Sequence, residues 1–248
     1  MRESQRVGSP PRRMPFDAIF FDAGNTLIFI DPAAVLPIFL DVGVEVEEET
    51  FWEAEFQARA GLARIVEDGA TGTEAHIWHA YFLALFRGCG VPEGRLTEVA
   101  ERVREAHDES HLWTYVAPAT APALGALRAR GFRMGVISNA DGRVEGLLRE
   151  AGLSGYFEFV MDSALEGVEK PDPEIFLRAC RRMGVEPGAS LYVGDLYPVD
   201  VLGARSAGME ALLLDPMGRL DYPVGKIPNV AALPRYLDGL EDRLSSRA

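Results

Sequence analysis

Apolar residues along this chain come in two patterns, short unbroken runs and spaced stripes, and for much of its length the two alternate. The runs are Ala18-Ile19-Phe20-Phe21, then Phe132 to Ile137, Phe157 to Met161, Leu191 to Val193 and Ala211 to Leu214. Each is closed by a turn signal and reads as a strand buried on both faces. Stripes with helical spacing lie at Pro122 to Arg130, Arg143 to Ala151, Pro173 to Met183 and Val199 to Ala207. Strands alternating with helices predict an α/β fold with a mostly parallel sheet. In such sheets the ligand lies beyond the carboxyl ends of the strands. Polar residues stand at those ends here: Asp22 after the first run, Ser138-Asn139 after the second and Asp195 after the fourth.

Asp31 to Ala117 breaks the alternation. It holds no good strand candidate, and its long stripes at Glu47 to Val66, Glu74 to Phe86 and Leu96 to Glu109 predict helices. Thr71 and Glu74 have capping-box spacing, and Gly88 and Gly90 stand where that helix should stop. Ile77, Trp78, Tyr81, Phe82 and Leu85 share one face of it. The expected organisation is an α/β core of residues 15–30 and 118–248, a helical insert of residues 31–117, and a flexible N-terminal arm of residues 1–14.

Composition narrows the partners. The formal net charge is -13, from 25 basic and 38 acidic side chains, which argues against a nucleic-acid footprint because that needs a basic face. No apolar run approaches the ~20 residues needed to cross a bilayer, so no membrane partner is expected. Arg12-Arg13 has the look of a twin-arginine signal, but Asp17 and Asp22 interrupt the apolar stretch behind it. Cys89 and Cys180 have no CxxC spacing and read as reduced thiols of a cytoplasmic protein. No pattern sets an oligomeric state. Lysine is scarce: Lys170 and Lys226 are the only two among the 25 basic residues. A lysine kept in so arginine-rich a chain suits a site that needs a compact point charge.

Four segments carry candidate chemistry: Phe21-Asp22-Ala23-Gly24-Asn25-Thr26-Leu27, Val136-Ile137-Ser138-Asn139, Glu169-Lys170-Pro171-Asp172-Pro173, and Val193-Gly194-Asp195 with Asp200 behind it. Singly, each has a structural explanation as a turn, a cap or a loop charge. In this order, each at a strand end or loop, they resemble the four motifs of the haloacid dehalogenase-like hydrolase superfamily. The resemblance runs from about Phe16 to Leu214, and the insert resembles the helical cap of its commonest subclass.

That resemblance implies a Rossmann-like core with an all-helical cap, and a phosphatase acting on a small phosphorylated molecule through an aspartyl-phosphate at Asp22. Ser138 and the backbone at Asn139 would hold phosphoryl oxygens while Lys170 neutralises their charge. Asp22, the carbonyl of Gly24 and Asp195 would bind magnesium, with Asp200 behind them or reaching the ion through water. Cap motion about the segments near Asp31 and Ala117 would exclude water.

The chain departs from the pattern at Gly24, where phosphatases of the family usually carry a second aspartate that protonates the leaving oxygen and later activates water. A positioned acid or base is worth ~10²–10⁴-fold in rate. His76, His79, His107 and Asp31 are candidate substitutes. A non-catalytic binder of a phosphorylated ligand or of a partner is the alternative reading. Dehalogenases of the family are metal-free and carry an aromatic residue at position 24 and an uncharged one near 195, neither of which is present. Phosphonate-cleaving members need a cap lysine, and residues 31–117 contain none. The cap offers Arg59, Arg64, His76, Trp78 and His79 toward a substrate, whereas Trp52, Phe56, Trp78 and Tyr81 read mainly as cap packing.

Overall fold

A computed structural model describes residues 16–67 and 75–245. The expected N-terminal arm, the capping box at Thr71 and Glu74, and the side chains of His76, Ile77 and Trp78 lie outside the described residues. The chain opens with β1 (Ala18–Phe21) and β2 (Phe29–Ile30), followed by helices α1 (Pro32–Asp41), α2 (Glu48–Glu67), α3 (Ala75–Gly88) and α4 (Leu96–Ser110). Strand β3 (Trp113–Tyr115) returns beside β2. Then come α5 (Thr120–Ala129), β4 (Arg133–Ser138), α6 (Val144–Glu150), β5 (Val160–Asp162), α7 (Ser163–Glu166) and α8 (Pro173–Met183). The chain continues through β6 (Ser190–Gly194), α9 (Leu202–Ser206), β7 (Glu210–Leu214), β8 (Gly225–Ile227) and α10 (Leu233–Ser245).

Six strands form one parallel sheet in the order β5-β4-β1-β6-β7-β8. Side chains on a strand alternate between its faces, and here both faces are covered. Ile19, Phe21, Met134, Val136, Leu191 and Val193 pack into one apolar cluster, while Ala18, Phe20, Ile137, Tyr192, Ala211 and Leu213 enter another. That double burial is why the strands read as unbroken apolar runs. The register aligns Phe21 of β1 with Val136 of β4 and Val193 of β6. The residues that follow these three neighbouring strands therefore emerge together at one edge of the sheet.

Between β2 and β3 the four helices pack on a hydrophobic cluster of their own, with Phe39, Phe51, Phe82, Leu85 and Phe86 at its centre. Asp31 caps α1, its Oδ1 accepting from the N–H of Ala33 at 2.9 Å. The structure corrects the reading of this region as free of strands, because Trp113–Tyr115 pairs antiparallel with Phe29–Ile30. Strands this short carry too few alternating positions to register as a pattern. The strand expected at Phe157 to Met161 runs instead from Val160 to Asp162, and the helix expected from Val199 begins as a π-turn at Tyr197–Val201 before α9.

Helices α2 and α3 approach closely where α3 ends. A Cβ on Gly88 would lie 2.7 Å from the Cβ of Ala54 and 3.2 Å from its Cα. Gly88→Ala should therefore cost ~1–3 kcal/mol through overpacking, seen as a lower midpoint in thermal unfolding. An unchanged midpoint would show that the two helices can part freely.

Candidate active site

The carboxyl ends of β1, β4 and β6 bring Asp22, Ser138 and Asp195 to one place, and the loop before α8 adds Lys170 from the side. All four residues are buried, as is Asp200. Together they line a cleft of about 570 Å³ with Gly24, Asn139 and residues of the helical insert.

Lys170 occupies the centre. Its Nζ donates to Asp22 Oδ1 at 2.6 Å, to Asp200 Oδ1 at 2.7 Å and to the Tyr192 hydroxyl at 3.0 Å. An ammonium has three N–H donors, so all of them are engaged. Burial alone would pull the ammonium's pKa down, but Asp200 and Asp22 outweigh that and hold it above the ordinary lysine value. Asn139 secures the backbone below. Its side-chain oxygen accepts from the Lys170 N–H at 2.8 Å, and its Nδ2 donates to the Lys170 carbonyl at 2.9 Å.

Asp200 serves as a bracket. Its Oδ2 accepts from the backbone N–H of Asp195 at 3.1 Å and of Leu196 at 2.9 Å. Both of its carboxylate oxygens are thus engaged. Only glycine fits at position 194, since a Cβ there would lie 2.4 Å from Cγ of Asp200. The loop after β4 is held in a similar way: Asp162 Oδ2 accepts from the N–H of Gly142 at 2.9 Å, and Ser163 Oγ from that of Ala140 at 3.2 Å.

The insert contributes one cation. Arg59 of α2, fully buried, donates to Glu55 through two nitrogens and reaches Asp195 Oδ2 at 3.5 Å, while the Tyr81 hydroxyl donates to Glu55 at 3.1 Å. Burial opposes the charge of Arg59, but Glu55 and Asp195 hold it above the ordinary arginine value. Four buried carboxylates, Asp22, Asp195, Asp200 and Glu55, face two buried cations, Lys170 and Arg59. The imbalance shows in the acids. Burial pushes Asp22 up to about 6, with Asp200 adding to the effect and Lys170 opposing it. Burial likewise raises Asp195, with Arg59 opposing and Asp200 and Asp22 adding.

Gly24 lies beneath Trp113. The indole nitrogen would be 3.4 Å from a Cβ at position 24 and donates to Asn25 Oδ1 at 3.2 Å. Of the candidate proton donors, His107 is half-buried and lines the cleft, whereas His79 is exposed and Asp31 is spent on its helix cap. Thr26 is buried, and among the described residues its hydroxyl has no hydrogen-bond partner. Arg64 is exposed. Phe56 and Tyr81 are buried, and Trp52 packs against Phe51, Phe29 and Tyr115. Sequence reasoning missed three residues of the cleft wall or its support. Tyr192 was hidden within a strand run, Trp113 in a strand too short to see, and His111 in the link between α4 and β3. The four-residue spacing of His107 and His111 at the end of a predicted helix was the available signal.

A six-stranded parallel sheet with buried acidic strand ends under a helical insert defines an α/β protein with an acidic site. The chain belongs to the family described as haloacid dehalogenase-like hydrolase, which it matches over residues 16–208. It is 35% identical over 197 residues to haloacid dehalogenase-like hydrolase domain-containing protein 3 of Mus musculus, covering 77% of this chain and 78% of that one. It is 33% identical over 204 residues to a glyceraldehyde 3-phosphate phosphatase of Methanopyrus kandleri, covering 77% and 81%. A 2-haloacid dehalogenase from Pseudomonas syringae pv. Tomato DC3000 has a similar structure, with a TM-score of 0.55, 27% identity and coverage of 91% and 99%.

Removing the central ammonium leaves Asp22 and Asp200 buried and uncompensated. Lys170→Met should cost ~3–5 kcal/mol at neutral to alkaline pH. Asp22, already at about 6, rises further without its cation. Below that value the carboxyl is neutral in the folded state, so the loss shrinks as pH falls through it. Thermal midpoints of both proteins with chelator, compared near neutral pH and in mild acid, check this. A loss that grows in acid would contradict it.

Proposed function

We propose that this hydrolase is a phosphatase for a small phosphorylated metabolite, with Asp22 as the nucleophile and magnesium as cofactor. The observation that carries the reading is the buried acidic group itself. Asp22, Asp195 and Asp200 each place an oxygen within 4.8 Å of the others, and the surrounding charge is two cations short of balance. A hard divalent ion suits an all-oxygen site of this kind. Asp22, Asp195 and the carbonyl of Gly24 would hold it, with Asp200, whose oxygens are already engaged, supporting them from behind. Such an ion supplies Lewis-acid stabilisation of phosphoryl charge and draws the reacting groups together.

The chain's own residues do the rest. Lys170 engages Asp22 through Oδ1, which leaves the other carboxylate oxygen to attack phosphorus. As that O–P bond forms, the bond to the leaving oxygen breaks and its electron pair departs with it. Water then hydrolyses the aspartyl-phosphate and restores Asp22. For Lys170 to meet a phosphoryl oxygen, one of its three hydrogen bonds must turn. Ser138 and the backbone at Asn139 receive the remaining phosphoryl oxygens.

Residues 31–117 act in this reading as a cap over a core of 15–30 and 118–248, which their separate apolar cluster supports. The phosphatase activity named for the Methanopyrus relative supports a small phosphorylated substrate. The acidic net charge disfavours nucleic acid, and among the described residues no helix is long and apolar enough to cross a membrane. Buried, unpaired Cys89 and Cys180 fit a reducing, cytoplasmic setting. A dehalogenase, metal-free by the family resemblance, would share the nucleophile Asp22 but would have no use for a buried charge at Asp195. The one feature favouring a non-catalytic binder is Trp113 lying over Gly24 where an acid would stand.

p-Nitrophenyl phosphate should be hydrolysed with magnesium, not with chelator, and not by Asp22→Asn. Aryl phosphates should turn over far faster than alkyl phosphates, whose leaving oxygens need a proton. Gly24→Asp should narrow that gap by up to ~10²–10⁴-fold, because it restores a carboxyl group that can protonate the leaving oxygen. No turnover above the Asp22→Asn control would favour the binder.

A further inference from the structure

His111 stands in the cleft without a task in the reaction described so far. It follows α4 with φ 53 and ψ 139, a region of backbone space that suits glycine and strains a residue with a Cβ. Strain of this kind persists where the surroundings impose it, and functional sites are where it gathers. The residue lines the same cleft as Asp22, Gly24 and Trp113. Trp113, whose indole covers Gly24, packs edge-on against the His111 ring with centroids 5.7 Å apart.

The protonation of the ring follows from its neighbours. The backbone N–H of Trp113 donates to His111 Nδ1 at 3.2 Å. A nitrogen that accepts carries no proton, so the neutral ring holds its hydrogen on Nε2. Among the described residues, Nε2 has no hydrogen-bond partner. Burial, then His107 and Arg143, push the imidazole down to about 4, against an opposing pull from Asp141. His111 is therefore neutral at neutral pH, with one donor still to place. Neutral imidazoles of this kind serve elsewhere as electrophiles that polarise a substrate oxygen.

We propose that His111 is a catalytic residue of this hydrolase, donating its Nε2–H to the departing oxygen of a phosphate monoester where Gly24 offers no acid. The assignment rests on the aspartyl reading above. When Asp22 attacks, the electron pair of the breaking P–O bond stays on the leaving oxygen. The imidazole stabilises that charge by a hydrogen bond and keeps its hydrogen, and the leaving oxygen takes its proton from water. His111 thus assists esters of alcohols, whose oxygens leave poorly, more than esters of acidic phenols.

The test is kcat/KM for the wild type, His111→Ala and His111→Gln over monoesters running from p-nitrophenyl to alkyl phosphates. His111→Ala should lose ~10²-fold or more on the alkyl esters and far less on p-nitrophenyl phosphate. His111→Gln, which keeps an N–H, should recover most of the loss. Equal losses on every ester, no loss on alkyl esters, or a wild type that turns over no monoester would overturn the assignment. Ring nitrogen NMR at neutral pH should show His111 neutral and protonated at Nε2; an Nδ1–H or cationic ring would overturn it whatever the turnover. Asp22→Asn should remove turnover of all esters alike. If that variant stays active, the aspartyl reading fails, and the ratio between esters still judges His111.

Discussion

The ammonium of Lys170 is the contact on which the site depends. Three acceptors from three parts of the chain converge on one nitrogen: Asp22 after β1, Tyr192 within β6 and Asp200 in the turn that follows it. Asp200 then passes the constraint on, because its second oxygen holds the Asp195 and Leu196 N–H groups. Tyr192 passes it in the other direction, donating its hydroxyl hydrogen to the carbonyl of Ile137 in β4. That hydrogen is spent once, so Tyr192 cannot also donate to Asp200, and the 3.2 Å between them is proximity around a shared cation. One buried point charge thus fixes the relative positions of three strand ends. A guanidinium is wider and planar, with its donors in a fixed fork, and would not meet three acceptors so tightly grouped.

Much of this was legible in the sequence because the local rules agree with the global arrangement. The runs ending in Asp22, Ser138 and Asp195 are apolar throughout because both faces of their strands are covered, and the polar residue marks where the strand leaves the core. Lys170 could be singled out because the chain otherwise uses arginine. What stayed hidden has a common cause in long-range contact. Nothing near Tyr192 in sequence shows that its hydroxyl faces a lysine from another loop. The Asn139 side chain was expected only through its backbone, yet it grips the backbone of Lys170, 31 positions away. Strand β3 is set by pairing with Phe29–Ile30, and Trp113 reaches Gly24 only because of that pairing.

Position 24 shows why a missing side chain is not simply an absence. The indole of Trp113 lies over the turn, 3.4 Å from where a Cβ at position 24 would stand, and donates to Asn25, itself at a positive φ of 54 that asparagine tolerates. The strand that carries Trp113 also fixes the His111 ring through its backbone N–H. Gly24, Asn25 and His111 are thus linked through one residue, Trp113.

The helical insert enters the same electrostatic account. Arg59 lies on α2, outside the sheet, yet it is buried against Asp195 and held there by Glu55 of its own helix. Glu55 and Arg59 are four residues apart and so share a helix face. Burial of an arginine is costly unless its charge is met, and Glu55 alone cancels it locally, which leaves the contact with Asp195 as a bias rather than an anchor. A 3.5 Å approach fits that role. A cation between the aspartates would weaken the hold of Asp195 on Arg59 by taking over the same carboxylate, whereas removing the cation strengthens it. The seating of α2 over the core and the charge on the aspartates are thus two expressions of one balance.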